Sequence, residues 1–329
     1  MSIADLRHGP TIDVERWRSE LPLQALCILA SLAIYAVLVI SIIGIVYVVL
    51  FAVFIFGAHA ILVAHIRGSA VRLGPDQFPE LYRRVEDLSR RMGLEEAPDA
   101  YLMQAGGALN AFATRFLGLN VIVLYSNLLE ACGDNEAARD MIVAHELGHI
   151  RAGHTKLRWL LTPGMAVPFL GSAYSQAREY TCDRYGMAGA GDRGGALLGL
   201  TILAAGGRHA PAVNQQALAR QGEDLNTGWL TIGSWLASHP PLSKRLAALE
   251  PALVTGVEHS LTGRLRALAI IGAFLVVFVG GGIWAALRIP RFARDVERQS
   301  VLQQQQQLYR MLPAETTMVG ESLPVGRRP

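Results

Sequence analysis

Apolar residues are distributed along this chain in three ways, and each predicts a different kind of element. Residues 21–66 contain no Asp, Glu, Lys or Arg over 46 positions; as a single helix they would extend about 69 Å, more than twice a hydrocarbon core of about 30 Å. Two spans folded as a hairpin fit that length, with the turn near residues 41–44, where Gly44 loosens the helix. A second uncharged run, residues 267–287, has the 21 residues of one span. Between the two runs the pattern becomes periodic. Leu81, Val85, Leu88 and Met92 recur at helical spacing with charges elsewhere, predicting an amphipathic helix over 78–92 that Gly93 closes. Residues 100–103 and 120–125 are rich in β-branched or bulky side chains and read as short strands of a small sheet. A helix is expected from an Asp134 N-cap through Met141, Ile142 and Val143 to His149. Further helical patterns cover 177–187, 196–205 and 241–249. Residues 159–177 are the exception: uncharged, but carrying Pro163, Pro168 and glycines that argue against a plain helix, so a loop or shallow apolar insertion leaning on a bilayer is expected.

This pattern divides the chain into an N-terminal segment (1–20), a transmembrane hairpin (21–66), one globular domain (67–266), a third span (267–287) and a polar, glutamine-rich tail (288–329) that frays into disorder. With 51% hydrophobic and 17% charged residues and a mean hydropathy of +0.30, the composition agrees with a protein partly in lipid. The first run is far longer than the apolar core of a signal peptide and has no clean small-residue cleavage site, so it is read as retained. Arg7, Arg16 and Arg18 precede it and Arg67, Arg72, Arg83 and Arg84 follow, which puts both flanks and the globular domain in the cytoplasm. Three spans send the tail to the far side, whereas Arg288, Arg291, Arg294 and Arg298 favour the near side; the two indications conflict. A net charge of +3 with no basic cluster among aromatics gives no reason to expect nucleic acid, and the oligomeric state is not legible. Cys27, Cys132 and Cys182 form neither a disulfide framework nor a Cys-x-x-Cys pair and read as small buried residues.

Residues 145–149, His-Glu-Leu-Gly-His, match H-E-x-x-H; four apart on a helix, His145 and His149 share a face and can reach one cation, with Glu146 beside it. A catalytic zinc takes three protein ligands and leaves a position open, so a third ligand must lie downstream. The pattern that supplies a third histidine six residues on fails, because Ala152 and Thr155 stand where Gly and His are required. His154 has no motif position and is read as an ordinary histidine. Glu179 and Asp183 lie one helical turn apart; Glu179 is assigned as the third ligand and Asp183 as the carboxylate that accepts a ligating histidine's N–H. One Zn²⁺ per chain and metal-assisted hydrolysis are then expected, with Glu146 as general base and acid. The alternative in another class is a non-catalytic membrane scaffold clamped by zinc; structural sites are closed and Cys-rich, whereas this one has three ligands and an adjacent Glu146.

These residues resemble the integral-membrane zinc metallopeptidases that include the bacterial heat-shock protease HtpX and the CAAX prenyl endopeptidases. Four stretches carry the resemblance: Asn110, Ala111, Phe112, Ala113 and Thr114; His145 to His149; Glu179 to Asp183; and His239-Pro240-Pro241 followed by Arg245. It implies an α+β fold, a mainly helical zincin-like domain with a small β-sheet plus transmembrane helices, in a bacterial inner membrane. It further implies protein or peptide substrates paired along an edge strand at 110–114, an oxyanion contact from His239, and a carboxylate oriented by Arg245. The implied role is membrane protein quality control, with a prenyl-protein (CAAX-type) protease as the nearest rival. Two departures stand out. Arg115 occupies a position that is Gly in many relatives, and the 29 residues between His149 and Glu179 are too few for the two spans many relatives insert there.

Overall fold

The computed structural model describes residues 10–256 and 261–311; the expectations for 1–9 and 312–329 lie outside the described residues. The long uncharged run forms α1 (Glu20–Val39) and α2 (Ile42–Ser69). They part at Ser41, whose extended backbone starts α2 and whose hydroxyl accepts the Gly44 N–H. Then follow β1 (Val71–Arg72), α3 (Pro79–Arg91), β2 (Asp99–Met103), β3 (Ala111–Phe116), β4 (Leu119–Tyr125) and α4 (Ser126–Cys132). Two central helices come next, α5 (Glu136–Arg151) and, after α6 (Arg158–Met165), α7 (Leu170–Ala190). The chain continues through α8 (Arg193–His209), α9 (Gln215–Arg220), α10 (Trp229–Leu236), α11 (Leu242–Leu249) and α12 (Thr262–Met311). Among the described residues the fold is mainly helical with one small mixed sheet and three helices, α1, α2 and the first part of α12, long and apolar enough to cross a membrane. Contacts divide the chain after Ala267; beyond that point the described chain is α12 alone, which continues helically through the glutamine run.

The sheet has the order β1-β2-β4-β3, with β2 and β4 parallel and the other pairs antiparallel. Alternation along β4 buries both its faces: Ile122 and Leu124 pack with Leu88 of α3 and Val143 and Leu147 of α5, while Val121 and Val123 pack with Tyr101 and with Ile66 at the end of α2. β3 is an edge strand turned back onto β4 by Leu117-Gly118, both at positive φ, the geometry of a tight two-residue hairpin. Its run AFATRF carries little alternation, which is why the sequence reading found the strands on either side of it but no periodic signal here. α5 begins one residue later than expected, because Asn135 rather than Asp134 caps it by accepting the Ala138 N–H.

α5 and α7 approach so closely that glycines are required at their seam. A Cβ on Gly186 would lie 2.7 Å from the Met141 carbonyl oxygen, and one on Gly148 would lie 3.0 Å from Tyr185. Gly186→Val is therefore expected to destabilise the protein by about 1–3 kcal/mol, as over-packing does; an unchanged thermal midpoint in detergent would show that the two helices separate freely.

The 159–177 segment corrects the expectation of a loop. It forms α6 and the first turns of α7, and α6 lies against α1. Pro163 is tolerated because α1 repairs the damage: Pro163 has no N–H for the Trp159 carbonyl, and the Tyr35 hydroxyl donates to that oxygen at 3.1 Å. Ser31 likewise accepts the Gly164 N–H at 2.8 Å, and Gly164 leaves room for the Cys27 carbonyl.

Candidate metal centre

α5 is buried on nearly every side, which fixes its rotation; His145 and Glu146 are each 7% exposed at its C-terminal half. α7 crosses it at the glycine seam and brings Glu179 opposite the two histidines. The donor atoms of His145, His149 and Glu179 lie within 4.8 Å of one another. Nε2 of His145 is 3.5 Å from Glu179 Oε2, and Nε2 of His149 is 3.5 Å from Glu179 Oε1. Donors held about 2.05 Å from a tetrahedral ion stand about 3.3 Å apart, so the spacing and the His/His/carboxylate chemistry fit zinc.

The Nδ1 atoms face away and are held from behind. Asp183 Oδ1 accepts from His145 Nδ1 at 3.0 Å, and Arg245 of α11 grips Asp183 through two bonds, Nε to Oδ2 at 2.8 Å and a second nitrogen to Oδ1 at 2.5 Å. Arg245 also lies 3.7 Å from Glu179. His239 is different: 66% of its side chain is exposed, Nε2 is 3.8 Å from Glu179, and Ser238 Oγ lies 3.0 Å from its Nδ1. α7 fastens this segment, since Gln176 donates to the Ser234 and Ala237 carbonyls and Ser172 to that of Trp235.

Buried charge sets the electrostatics. Burial pushes the Glu146 carboxyl up to about 7, against lowering by His145, Arg245 and the donated Ala113 N–H. Burial also opposes charge on His145, but its bonds to Asp183 and Glu179 outweigh that and raise it to about 10 in the metal-free chain. His149 has no such pair of carboxylates, and burial holds it well below the usual range. Glu179 and Asp183 both fall below the usual carboxylate range: burial would raise them, and the His145, His149 and Arg245 partners win. A metal ion held by His145 Nε2 would stand in place of that proton.

A cavity of about 370 Å³ opens over these groups. Residues 110–115 line one wall, so the free edge of β3 runs past Glu146; Arg158, Arg178 and His239 line the remainder together with apolar Leu128, Met141, Ile142, Leu200 and Leu203. Thr114 is buried, with its hydroxyl 3.2 Å from His59 Nε2 on α2, so it borders the cavity mainly through its backbone. Two residues adjoining the centre were missed in the sequence reading. His154 is 5% exposed with Nδ1 3.0 Å from His149 Nδ1, and Glu20, 0% exposed at the start of α1, lies 3.1 Å from His154 Nε2. The available signals were a third histidine five residues past His149 and a carboxylate immediately before a charge-free run.

The family model described as Peptidase family M48 matches residues 75–168 and 159–252, more than half of the 329 residues and all of the centre described above except Glu20. A search of the curated proteins and one of the solved structures found no match.

Proposed function

The chain belongs to peptidase family M48, and from that premise we propose that it is a membrane-anchored, zinc-dependent endopeptidase that cuts protein substrates beside the bilayer. The observation that carries this reading is the convergence of His145, His149 and Glu179 on one face of a cavity whose opposite wall is the open edge of β3. In this reading those three residues hold one zinc, which supplies Lewis acidity toward the scissile carbonyl and lowers the pKa of a water. An extended substrate adds to the edge strand through main-chain hydrogen bonds along 110–114, leaving its side chains to probe the cavity. Glu146 takes the proton of the attacking water and returns it to the leaving amine. His239, exposed at the rim, offers an N–H to the developing oxyanion. Asp183 and Arg245 orient His145 and keep its Nε2 lone pair toward the metal.

Arg115, Arg158 and Arg178 share the cavity wall with apolar Leu128, Met141, Ile142, Leu200 and Leu203, a mixture suited to a peptide with both polar and apolar side chains; a quality-control role is the reading adopted, with prenyl-protein processing as its rival. Arg16 and Arg18 before α1 and Arg67 and Arg72 around the end of α2 favour a cytoplasmic catalytic side. The test is zinc content and casein cleavage of the detergent-purified chain before chelation, after it, and after zinc return. One zinc per chain, with cleavage lost and regained alongside it, is expected. Cleavage that persists without metal, or a chain that takes up none, would overturn the reading.

A further inference from the structure

A chain of buried polar groups leads from the first membrane-length helix to the metal centre. Glu20, the first residue of α1, is fully buried and anchored three ways: Arg16 donates to its Oε1 at 2.8 Å, the Thr181 hydroxyl of α7 donates to its Oε2, and His154 Nε2 lies 3.1 Å from Oε1. Arg16 reaches on to the carbonyl of Ala152 at 2.8 Å, where α5 ends, and the Trp17 N–H donates to Thr181. His154 in turn meets His149, Nδ1 to Nδ1 at 3.0 Å.

With Glu20 ionised and His154 neutral, the contacts along this chain allow one placement of the protons. A carboxylate held by an arginine and a hydroxyl has only lone pairs to offer, so the bond from His154 requires a hydrogen on Nε2. A neutral imidazole then has its lone pair on Nδ1, and the short contact requires the hydrogen of His149 to sit on its own Nδ1. The remaining lone pair of His149 is on Nε2, the atom that faces Glu179. His149 thus receives from His154 what His145 receives from Asp183, an acceptor behind the ring that sets its tautomer and orientation.

We propose that His154 and Glu20 are positioning residues for His149, so that the affinity of the centre for zinc depends on how the start of α1 is seated against α5 and α7. This rests on His149 being a metal ligand, as argued above. Cys182 Sγ lies 3.7 Å from His154 Nδ1, and His149, His154 and Cys182 also bring donor atoms within 4.8 Å, so the rival arrangement makes His154 a ligand of a second ion. The lone pair of His154 Nδ1 can serve only one of these.

The experiment is zinc competition against a chelator of known affinity, on the full-length protein in detergent, with the visible absorption of the cobalt-substituted form recorded for each variant. His154→Ala and Glu20→Gln are expected to weaken zinc binding by about 10–100-fold. His154→Gln, whose amide oxygen still accepts from His149, is expected to retain most of the affinity and the parent's cobalt spectrum, a rescue that a role in packing alone would not produce. Equal affinity in parent and His154→Ala would overturn the proposal while leaving the ligand reading intact, as would equal losses in the Ala and Gln variants. Two ions per chain falling to one in Cys182→Ala would overturn it in favour of the second site. A parent that binds no zinc would sink the ligand reading itself and this proposal with it.

Discussion

Replacing Glu146 by Gln is expected to lower kcat/KM for peptide cleavage by about 10²–10⁴-fold at unchanged zinc content, the range for removing a positioned general base. The substitution preserves shape in a place where shape matters: Glu146 is 7% exposed on a helix buried along its length, and the amide oxygen still accepts the Ala113 N–H. What it removes is the capacity to take a proton. The carboxyl is well placed for that exchange, because burial lifts it to about 7 in the metal-free chain, near the pH at which it must act in both directions. A dication beside it pulls that value down, so the acid limb of the parent's rate is expected at about pH 7 or below, with rate rising as the carboxylate forms, and that limb is expected to vanish from the residual rate of the Gln variant. Steady-state rates across pH on one quenched peptide, with metal content measured on the same samples, check both statements. A Gln variant that cleaves at the parental rate would remove Glu146 from the chemistry.

How far the site was legible depended on whether its residues obey a period. His145 and His149, and Glu179 and Asp183, are pairs one helical turn apart, and helix geometry alone puts each pair on a shared face. That α5 and α7 cross with Glu179 opposite the histidines is a tertiary fact, carried by glycines such as Gly148 and Gly186 whose purpose shows only against their partners. Residues 159–177 read wrongly because Pro163 is a helix breaker in isolation; the groups that satisfy the broken turn, Tyr35 and Ser31, lie more than a hundred residues earlier on α1. His154 read as ordinary for the same reason, since its counterpart Glu20 is 134 positions away and looks like a boundary charge in front of an apolar run. The mixed sheet was half visible. A continuous run of branched and bulky side chains marks β4, which is buried on both faces, whereas β3 pairs on one side only and needs no such pattern. The open edge that the functional reading uses is thus the part of the sheet with the weakest sequence signal.

The second large effect is expected in stability. Arg245 is 7% exposed and is the buried cation shared by Asp183, 1% exposed, and Glu179, 5% exposed. Removing it in Arg245→Ala leaves two carboxylates in a place with little water, and breaking a buried pair from one side costs about 3–5 kcal/mol. Cutting out the other end as well is expected to behave differently. In an Arg245→Met, Asp183→Leu double variant both charges of the Arg245–Asp183 pair are gone, and the part of the lost stability that came from stranding Asp183 is expected to return; the part that came from Glu179, which has still lost its arginine, is not. Zinc affinity is not expected to return with it, because His145 Nδ1 then has no acceptor and its ring loses the contact that turns Nε2 toward Glu179. The pH dependence has a definite sign. The Asp183 carboxyl lies below its usual range in the folded chain, chiefly because Arg245 outweighs the burial that opposes its charge. Its contribution is therefore present above the unfolded value of about 4 and is lost as the pH falls through the lower, folded value. Thermal unfolding of the metal-free forms in detergent between pH 7 and pH 3 measures the gap between parent and Arg245→Ala, which is expected to be widest at neutral pH and to narrow on acidification. A gap that stays constant over that range would mean that Arg245 supports the fold through packing and not through the charge of Asp183.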